Sequence, residues 1–248
     1  MRPPVDHIAA PAFPRSLTWV NSPAQQLEPG RAMLVEFWDF CRPQSMRTLP
    51  YVKAWHERYP ELKVIGVHAA GFSPSRDPDA VRAAVERLAI SYPVAIDAEY
   101  ELWNLYGNLG WPARYLFDPR GMLVHYHYGE GAYDETELAI QELLEIDRPL
   151  MAPFRPEEAA DAVLEPQSDD VEGVYSGAYR AGGVWAVLDG RGTVTVNGRT
   201  VAVDGPGCYE LIAHQRSTDG ELALEVGRGV SCHAVCFTPG LASESRGS

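Results

Sequence analysis

Segments with helical periodicity are confined to the first 147 residues of this 248-residue chain. There, apolar runs typical of buried strands, such as MLVEFWDF (33–40) and LKVIGVH (62–68), alternate with helix-like segments. The helix over 78–89 has the clearest start, with Asp77 at its N-cap and Pro78 at its first position. Alternation of strands and helices predicts an α/β domain in which helices cover a central mixed sheet.

Beyond residue 170 the pattern changes to short strands separated by glycines. The Asn197-Gly198 pair between two of these strands suits a tight type I′ hairpin turn. We therefore predict four parts: an α/β domain over 1–150, a proline-rich acidic linker over 151–170, a small β-sandwich or jelly roll over 171–240, and a disordered tail over 241–248.

Charge and hydropathy limit the classes of partner. The chain has 34 acidic and 21 basic residues, a formal net charge of −13, which argues against nucleic acid or an anionic membrane as partner. The N-terminal residues lack the apolar core of a secretory signal, and no run is long enough to span a membrane. We therefore expect a cytoplasmic protein.

The sequence gives little support for a bound metal or cofactor. The four cysteines are unevenly spaced and form neither a disulfide framework nor a zinc pattern. His125 and His127 are two residues apart on a predicted strand and share a face, but no third ligand stands at a useful spacing. We expect a polar sheet face at these histidines, with no metal and no cofactor.

The stretch FWDFCRPQSMRTLPY (37–51) holds the candidate chemistry of the first half. A buried strand runs into a short turn that contains Cys41 and Pro43, and a helix with an internal proline, Pro50, follows. A redox-active turn of this form needs two cysteines two residues apart, and this turn has one cysteine.

Residues 8–147 resemble the TlpA/DipZ-like thioredoxins. The resemblance rests on APAFPRSLTWVN, on FW…RTLPYVKAWHERY, on VIGVH, and on the segments DPDAVRAAVERL, GWPARYLFDPRG and HYHYGEG. It implies a thioredoxin fold and kinship with thiol–disulfide oxidoreductases and antioxidant redoxins, although a fold alone does not establish activity. The second half resembles the jelly-roll domain that follows some DipZ thioredoxin domains.

The resemblance also sets the register of the turn. Aligning Phe37-Trp38 and Arg47-Thr48-Leu49-Pro50 places the family's two redox cysteines at positions that hold Arg42 and Ser45 here. Cys41 stands one place before the motif. Dithiol exchange by the usual route is then unavailable, because Arg42 cannot attack sulfur and Ser45 cannot resolve a mixed disulfide.

Other positions of the family's site are kept. Pro43 matches the proline often found inside the motif, and Trp111-Pro112 matches the segment whose proline is cis beside the redox site. With Trp38, these residues are the candidate binding groove. Glu36 stands where many thioredoxins carry a buried acid beneath the disulfide. It is either a relic proton-transfer acid or an acid paired with arginine or water.

Three interpretations of the altered turn stay open. In the first, the turn is degenerate and Cys41 packs as a small apolar residue. In the second, Cys41 is a single peroxidatic or mixed-disulfide thiol, activated by Arg42 and the helix dipole. In the third, the N–H groups of the helix start hold a small anion together with Arg42 and Ser45.

Two classes of function follow. One is a single-thiol oxidoreductase or peroxidase, acting on a protein thiol or disulfide or on peroxide, with Cys41, Arg42, Ser45 and Glu36 as its site. The other is a non-catalytic module that binds a peptide or small anion in the Arg42, Ser45 and Pro112 groove. An enzyme needs an exposed, ionisable Cys41, and a binding module does not.

The second half offers weaker candidates. Cys232 and Cys236 are four residues apart on a predicted strand, so we expect them to share a face about 13 Å apart, too far for a disulfide. We expect buried free thiols for both and for Cys208. Four aromatic residues are candidates for carbohydrate contact by analogy with other jelly rolls, with core packing as the alternative for the first: Trp185, Tyr175, Tyr179 and Tyr209.

Overall fold

Residues 8–242 are described in the computed structural model. The helices are α1 (Pro43–Arg58), α2 (Pro78–Arg87), α3 (Glu101–Leu105) and α4 (Tyr133–Leu144). The strands of the first half are β1 (Thr18–Val20), β2 (Met33–Trp38), β3 (Lys63–His68), β4 (Val94–Ile96), β5 (Ala113–Phe117) and β6 (Leu123–Tyr128). Those of the second half are β7 (Leu164–Glu165), β8 (Val171–Glu172), β9 (Gly177–Gly190), β10 (Gly192–Val196), β11 (Arg199–Val203), β12 (Gly207–Leu222), β13 (Leu224–Val226), β14 (Val230–Thr238) and β15 (Gly240–Leu241).

A mixed sheet of order β1-β4-β3-β2-β5-β6 organises the first half. Strand β2 pairs in parallel with β3 and antiparallel with β5, so the predicted α/β class is confirmed. Since side chains alternate along a strand, one face buries Val35 and Phe37 in an apolar cluster. The opposite face carries Arg114, whose guanidinium lies over the rings of Trp55 of α1 and Tyr133 of α4.

The local signals read from the sequence match the backbone. Asp77 caps α2, since its Oδ1 accepts a hydrogen bond from the Asp79 N–H at 2.9 Å. Asn197 and Gly198, between β10 and β11, have φ values of 47° and 81°. Two consecutive positive φ values define the type I′ turn that closes a two-residue hairpin.

The second half is all-β, as predicted. Its larger sheets have the orders β12-β9-β14-β8 and β11-β10-β13. The inward side chains of both sheets, among them Val184, Val194 and Phe237, share one apolar cluster. Whether the strands form a jelly roll stays a prediction.

The described residues divide into two units, one of residues 8–39 and 44–152 and one of residues 40–43 and 153–242. Within the second unit, the Cys208 N–H donates to the Phe40 carbonyl at 3.1 Å. The predicted domain limits stay predictions. The structure differs from the expected character of two segments, the linker and the tail.

The predicted linker contains regular structure, and part of the predicted tail is a strand. A 3₁₀ turn spans Pro156–Glu158, and β7 pairs with β15. Leu241 is in a strand because it pairs with Leu164 of β7. This partner is distant in the sequence, so the local pattern around Leu241 does not reveal the strand. Residues 243–248 of the predicted tail lie outside the described residues.

Two side chains of α4, Glu137 and Gln141, bind the backbone of residues 148–151. The Tyr59 hydroxyl donates to Glu137 Oε1 at 2.7 Å, and the Met151 N–H donates to Glu137 Oε2 at 2.9 Å. The Arg148 N–H donates to Gln141 Oε1 at 3.1 Å. These bonds make residues 148–151 part of the first unit.

Limited proteolysis is expected to cut within 153–170 before it cuts within 148–151. Phe154 and Val163 are 53% and 70% exposed, whereas the backbone of 148–151 is hydrogen-bonded, and proteases prefer exposed, unbonded backbone. Glu137→Gln should add an early cut in 148–151, and the exposed Glu142→Gln on the same helix should not. Fragment masses would identify the sites, and a first cut inside 33–147 would contradict this division.

Candidate functional site

Arg42 and Ser45, the predicted positions of the family's redox cysteines, lie at the start of α1. Helix α1 begins at Pro43, so Arg42 directly precedes the helix and Ser45 is its third residue. Ser45 is 1% exposed, and its Oγ accepts a hydrogen bond from the Asp39 N–H at 3.2 Å. The Ser45 hydroxyl therefore stabilises the connection between β2 and α1.

Cys41 is buried in this structure, with 0% of its surface exposed. A nucleophilic thiol must reach solvent or its substrate as a thiolate, and burial without compensation disfavours the charged form. The burial of Cys41 therefore supports the degenerate-turn interpretation more than the single-thiol one. The reactivity of Cys41 stays a prediction.

A buried Asp–His pair beside the turn was not predicted. Asp39 Oδ1 lies 3.5 Å from His68 Nε2, and Asp39 Oδ2 accepts a hydrogen bond from the Gly71 N–H at 2.7 Å. Trp38 packs edge-on against the His68 ring, with 5.3 Å between ring centroids. The pair could have been inferred from the sheet topology. Asp39 follows β2 and His68 ends the adjacent parallel strand β3, so the two residues lie at the same edge of the sheet.

Glu36 is buried on β2, opposite Arg114 of β5. Neither of its carboxylate oxygens has a hydrogen-bond partner among residues 8–242. Burial raises the pKa of Glu36 from 4.5 to about 8, although Arg114 opposes the shift. Glu36 is therefore mostly protonated at neutral pH. Burial and the nearby Glu36 also raise the pKa of Tyr92.

Arg114 is a further buried ionisable residue that was not predicted. Its Nη2 donates to the Gly131 carbonyl, and its guanidinium carbon lies 5.7 Å from the Trp55 ring and 5.1 Å from the Tyr133 ring. Aromatic faces attract a desolvated cation. These contacts stabilise the buried positive charge of Arg114 even when Glu36 is protonated and neutral.

The predicted groove residues on the first unit are ordered by packing. The Trp111–Pro112 peptide bond is cis, as predicted. The Trp111 Nε1–H donates to the Ala69 carbonyl at 2.8 Å, and its ring lies 4.3 Å from that of Trp103. Trp111 therefore has a fixed, partly exposed orientation beside Pro112.

The expected arrangement of the sheet cysteines was wrong. A β-bulge between Cys232 and Ala234 shifts the register of β14 on β9. Cys232 consequently packs against the apolar core of the unit, whereas Cys236 pairs with Trp185 on the other face. Burial raises the pKa of Cys232 to about 11 and that of Cys236 to about 12, so both are poor nucleophiles at neutral pH.

The remaining candidates have structural contacts. His125 Nε2 lies 3.4 Å from Thr136 Oγ1, and His127 Nε2 lies 3.1 Å from the Glu130 carbonyl. Among residues 8–242, no group of three or more His, Cys, Asp or Glu side chains is placed to hold a metal ion. In the same range, every helix is too short or too polar to cross a bilayer.

The aromatic candidates of the second unit are engaged in packing or internal hydrogen bonds. Trp185 and Tyr179 are buried. The hydroxyls of Tyr175 and Tyr209 donate to the carbonyls of Ala178 and Gly205 at 2.6 and 2.7 Å. Carbohydrate binding stays an analogy based on fold.

No family model matches the chain. Over 179 residues, the chain is 32% identical to protein DipZ of Mycobacterium bovis, an alignment that covers 67% of this chain and 26% of DipZ. It is 33% identical over 126 residues to the chloroplastic protein SUPPRESSOR OF QUENCHING 1 of Arabidopsis thaliana, covering 49% of this chain and 12% of that protein. The chain thus spans about a quarter or less of the length of these two relatives.

A shorter relative and a solved structure match the first half. The thiol-disulfide oxidoreductase YkuV of Bacillus subtilis is 25% identical over 129 residues, which cover 51% of this chain and 87% of YkuV. The crystal structure of a thioredoxin-like superfamily protein superposes with a TM-score of 0.51 at 23% identity, covering 57% of this chain and 99% of that one. The resemblance to TlpA/DipZ-like thioredoxins is confirmed, and the first half has a thioredoxin-like fold.

Proposed function

We propose that this chain is a relative of thiol–disulfide oxidoreductases that has lost dithiol exchange and keeps its thioredoxin-like fold as a binding module. One observation carries the proposal. Ser45, at the position of a resolving cysteine, is buried and accepts a hydrogen bond from the Asp39 N–H. Its hydroxyl thus has a structural role, and no thiol stands at that position to release a mixed disulfide.

The ligand proposed for this module is an extended peptide segment of a partner protein, held along Trp111 and Pro112. The fixed, partly exposed indole of Trp111 supports this choice, since large rigid aromatic side chains are common anchors at interfaces. A small anion is less well supported as the ligand, because Ser45 is buried.

A cytoplasmic location of the protein also stays a prediction.

The disulfide-reduction assay tests the loss of dithiol exchange. In the insulin turbidity assay with dithiothreitol, the chain is expected to match the buffer blank, because position 45 cannot resolve an intermediate. YkuV of Bacillus subtilis serves as the positive control. A rate enhancement that persists in the Cys41→Ser variant would reject the proposal outright.

Single-thiol chemistry at Cys41 is the second candidate, favoured by its position next to Arg42 and the N-terminal end of α1. A helix N-terminus stabilises a thiolate by about 0.3–1 kcal/mol at an exposed site, but burial opposes ionisation. We therefore expect peroxide treatment followed by dimedone to leave Cys41 unlabelled in the folded chain. A sulfenic acid adduct at Cys41, absent from Cys41→Ser, would favour the single-thiol oxidoreductase instead.

A further inference from the structure

A concave cleft on the first unit has lining residues that are distinct from the turn and from Trp111 and Pro112. It has a volume of about 420 Å³ and is formed by α3, the loop after it, β5, β6 and residues 8–11. Small-molecule sites typically have volumes of roughly 300–1,000 Å³. Leu105 and Leu109 stand at its rim, 53% and 80% exposed. Both leucines can therefore contact a molecule that is bound in the cleft.

The lining of the cleft is apolar and aromatic. Four tyrosines contribute to it, together with leucines, Phe117 and small apolar residues, and none of the lining residues is charged. A charged ligand would lose its hydration there without gaining an ion pair. Ring faces and edges favour a planar, aromatic ligand.

One end of the cleft is polar. The Tyr115 hydroxyl donates to Asn108 Oδ1 at 2.7 Å, and the hydroxyls of Tyr115 and Tyr128 lie 3.2 Å apart. A hydroxyl donates one hydrogen bond and accepts two. The Tyr128 side chain is partly exposed, and its hydroxyl oxygen can accept a hydrogen bond from a ligand whichever of the two tyrosines donates to the other.

We propose that this cleft is a binding site for a small, uncharged, planar molecule of about two fused rings that carries one hydrogen-bonding group. The size of the cleft, its uncharged aromatic lining and the Tyr128 hydroxyl together define that class. The site shares no residue with the turn or with the Trp111–Pro112 segment, so it goes beyond the proposed function and does not depend on it.

Ligand-observed NMR with the full chain tests the site, using 2-naphthol and 2-naphthoate as probes of equal ring size. 2-Naphthol is expected to bind at least tenfold more tightly than 2-naphthoate. Leu105→Glu and Leu109→Glu should each weaken 2-naphthol binding at least tenfold. Leu138→Glu is the matched control, because Leu138 is also 53% exposed but lies on α4 outside the cleft, and it should leave binding unchanged.

The Tyr128→Phe variant distinguishes the contribution of the hydroxyl to binding from that of the apolar contacts. It should weaken 2-naphthol several-fold and leave naphthalene binding unchanged, with circular dichroism confirming that each variant is folded. Failure of 2-naphthol to bind at millimolar concentration would overturn the proposal. Equal loss on Leu138→Glu would also overturn it. Binding seen only after deletion of residues 1–7 would assign the cleft to this chain's own N-terminal segment and likewise overturn it.

Discussion

The double substitution Arg42→Cys/Ser45→Cys is expected to give a chain that forms a reversible disulfide between residues 42 and 45. Residue 42 precedes the first residue of α1 and residue 45 is the third residue of that helix. This is the spacing of a CxxC turn, in which the helix N-terminus lowers the pKa of the first thiol. In a Cys41→Ser background, two fewer thiols should be alkylated after oxidation than after reduction.

The single substitutions are the controls for this experiment. Arg42→Cys and Ser45→Cys alone, each with Cys41→Ser, should show the same number of alkylated thiols in both states. A reversible transition in the double variant should have its midpoint between about −300 and −120 mV, the range of thioredoxin-like proteins. Absence of any disulfide between residues 42 and 45 would show that the register of the turn is wrong.

Glu36→Gln is expected to remove a large pH-dependent component of stability. The pKa of Glu36 is raised from 4.5 to about 8 by burial, so between these values the unfolded chain loses this proton and the folded chain keeps it. The unfolded state then binds fewer protons, and the free energy of unfolding falls as pH rises through this window. The whole effect is on the order of 5 kcal/mol, since each pKa unit corresponds to about 1.4 kcal/mol.

Urea denaturation at pH values from 5 to 8.5 measures this effect. From pH 5 to pH 8.5, the free energy of unfolding of the wild-type chain should fall by on the order of 4 kcal/mol more than that of Glu36→Gln. The exposed Glu99→Gln is the matched control and should follow the wild-type curve. Parallel curves for wild type and Glu36→Gln would mean that Glu36 is ionised in the folded chain throughout the range.

Local sequence patterns were sufficient for the elements around the turn. Periodicity predicted the strands around Glu36 and the helix that follows Pro43, and the family resemblance predicted the cis Pro112. These features are encoded by residues close together in the chain. The register that the resemblance sets for Arg42 and Ser45 stays a prediction.

The buried charges could not be predicted in the same way. Arginine is rarely buried, and Arg114 is buried only because Trp55, Tyr133 and Gly131 come together around it from other elements. Glu137 likewise binds the Met151 N–H only in the folded chain. Alternation placed Cys232 and Cys236 on one face because nothing in the local sequence indicates the bulge beside Ala234.

A redox titration of the unmodified chain tests the loss of dithiol exchange most directly. The chain would be equilibrated in thiol–disulfide buffers from about −320 to about −120 mV, quenched with acid, unfolded and alkylated. Mass spectrometry should then find all 4 cysteines alkylated at every potential. A reversible loss of two alkylated thiols, mapped to Cys41 and a second cysteine, would contradict the account and show that this chain has a working dithiol.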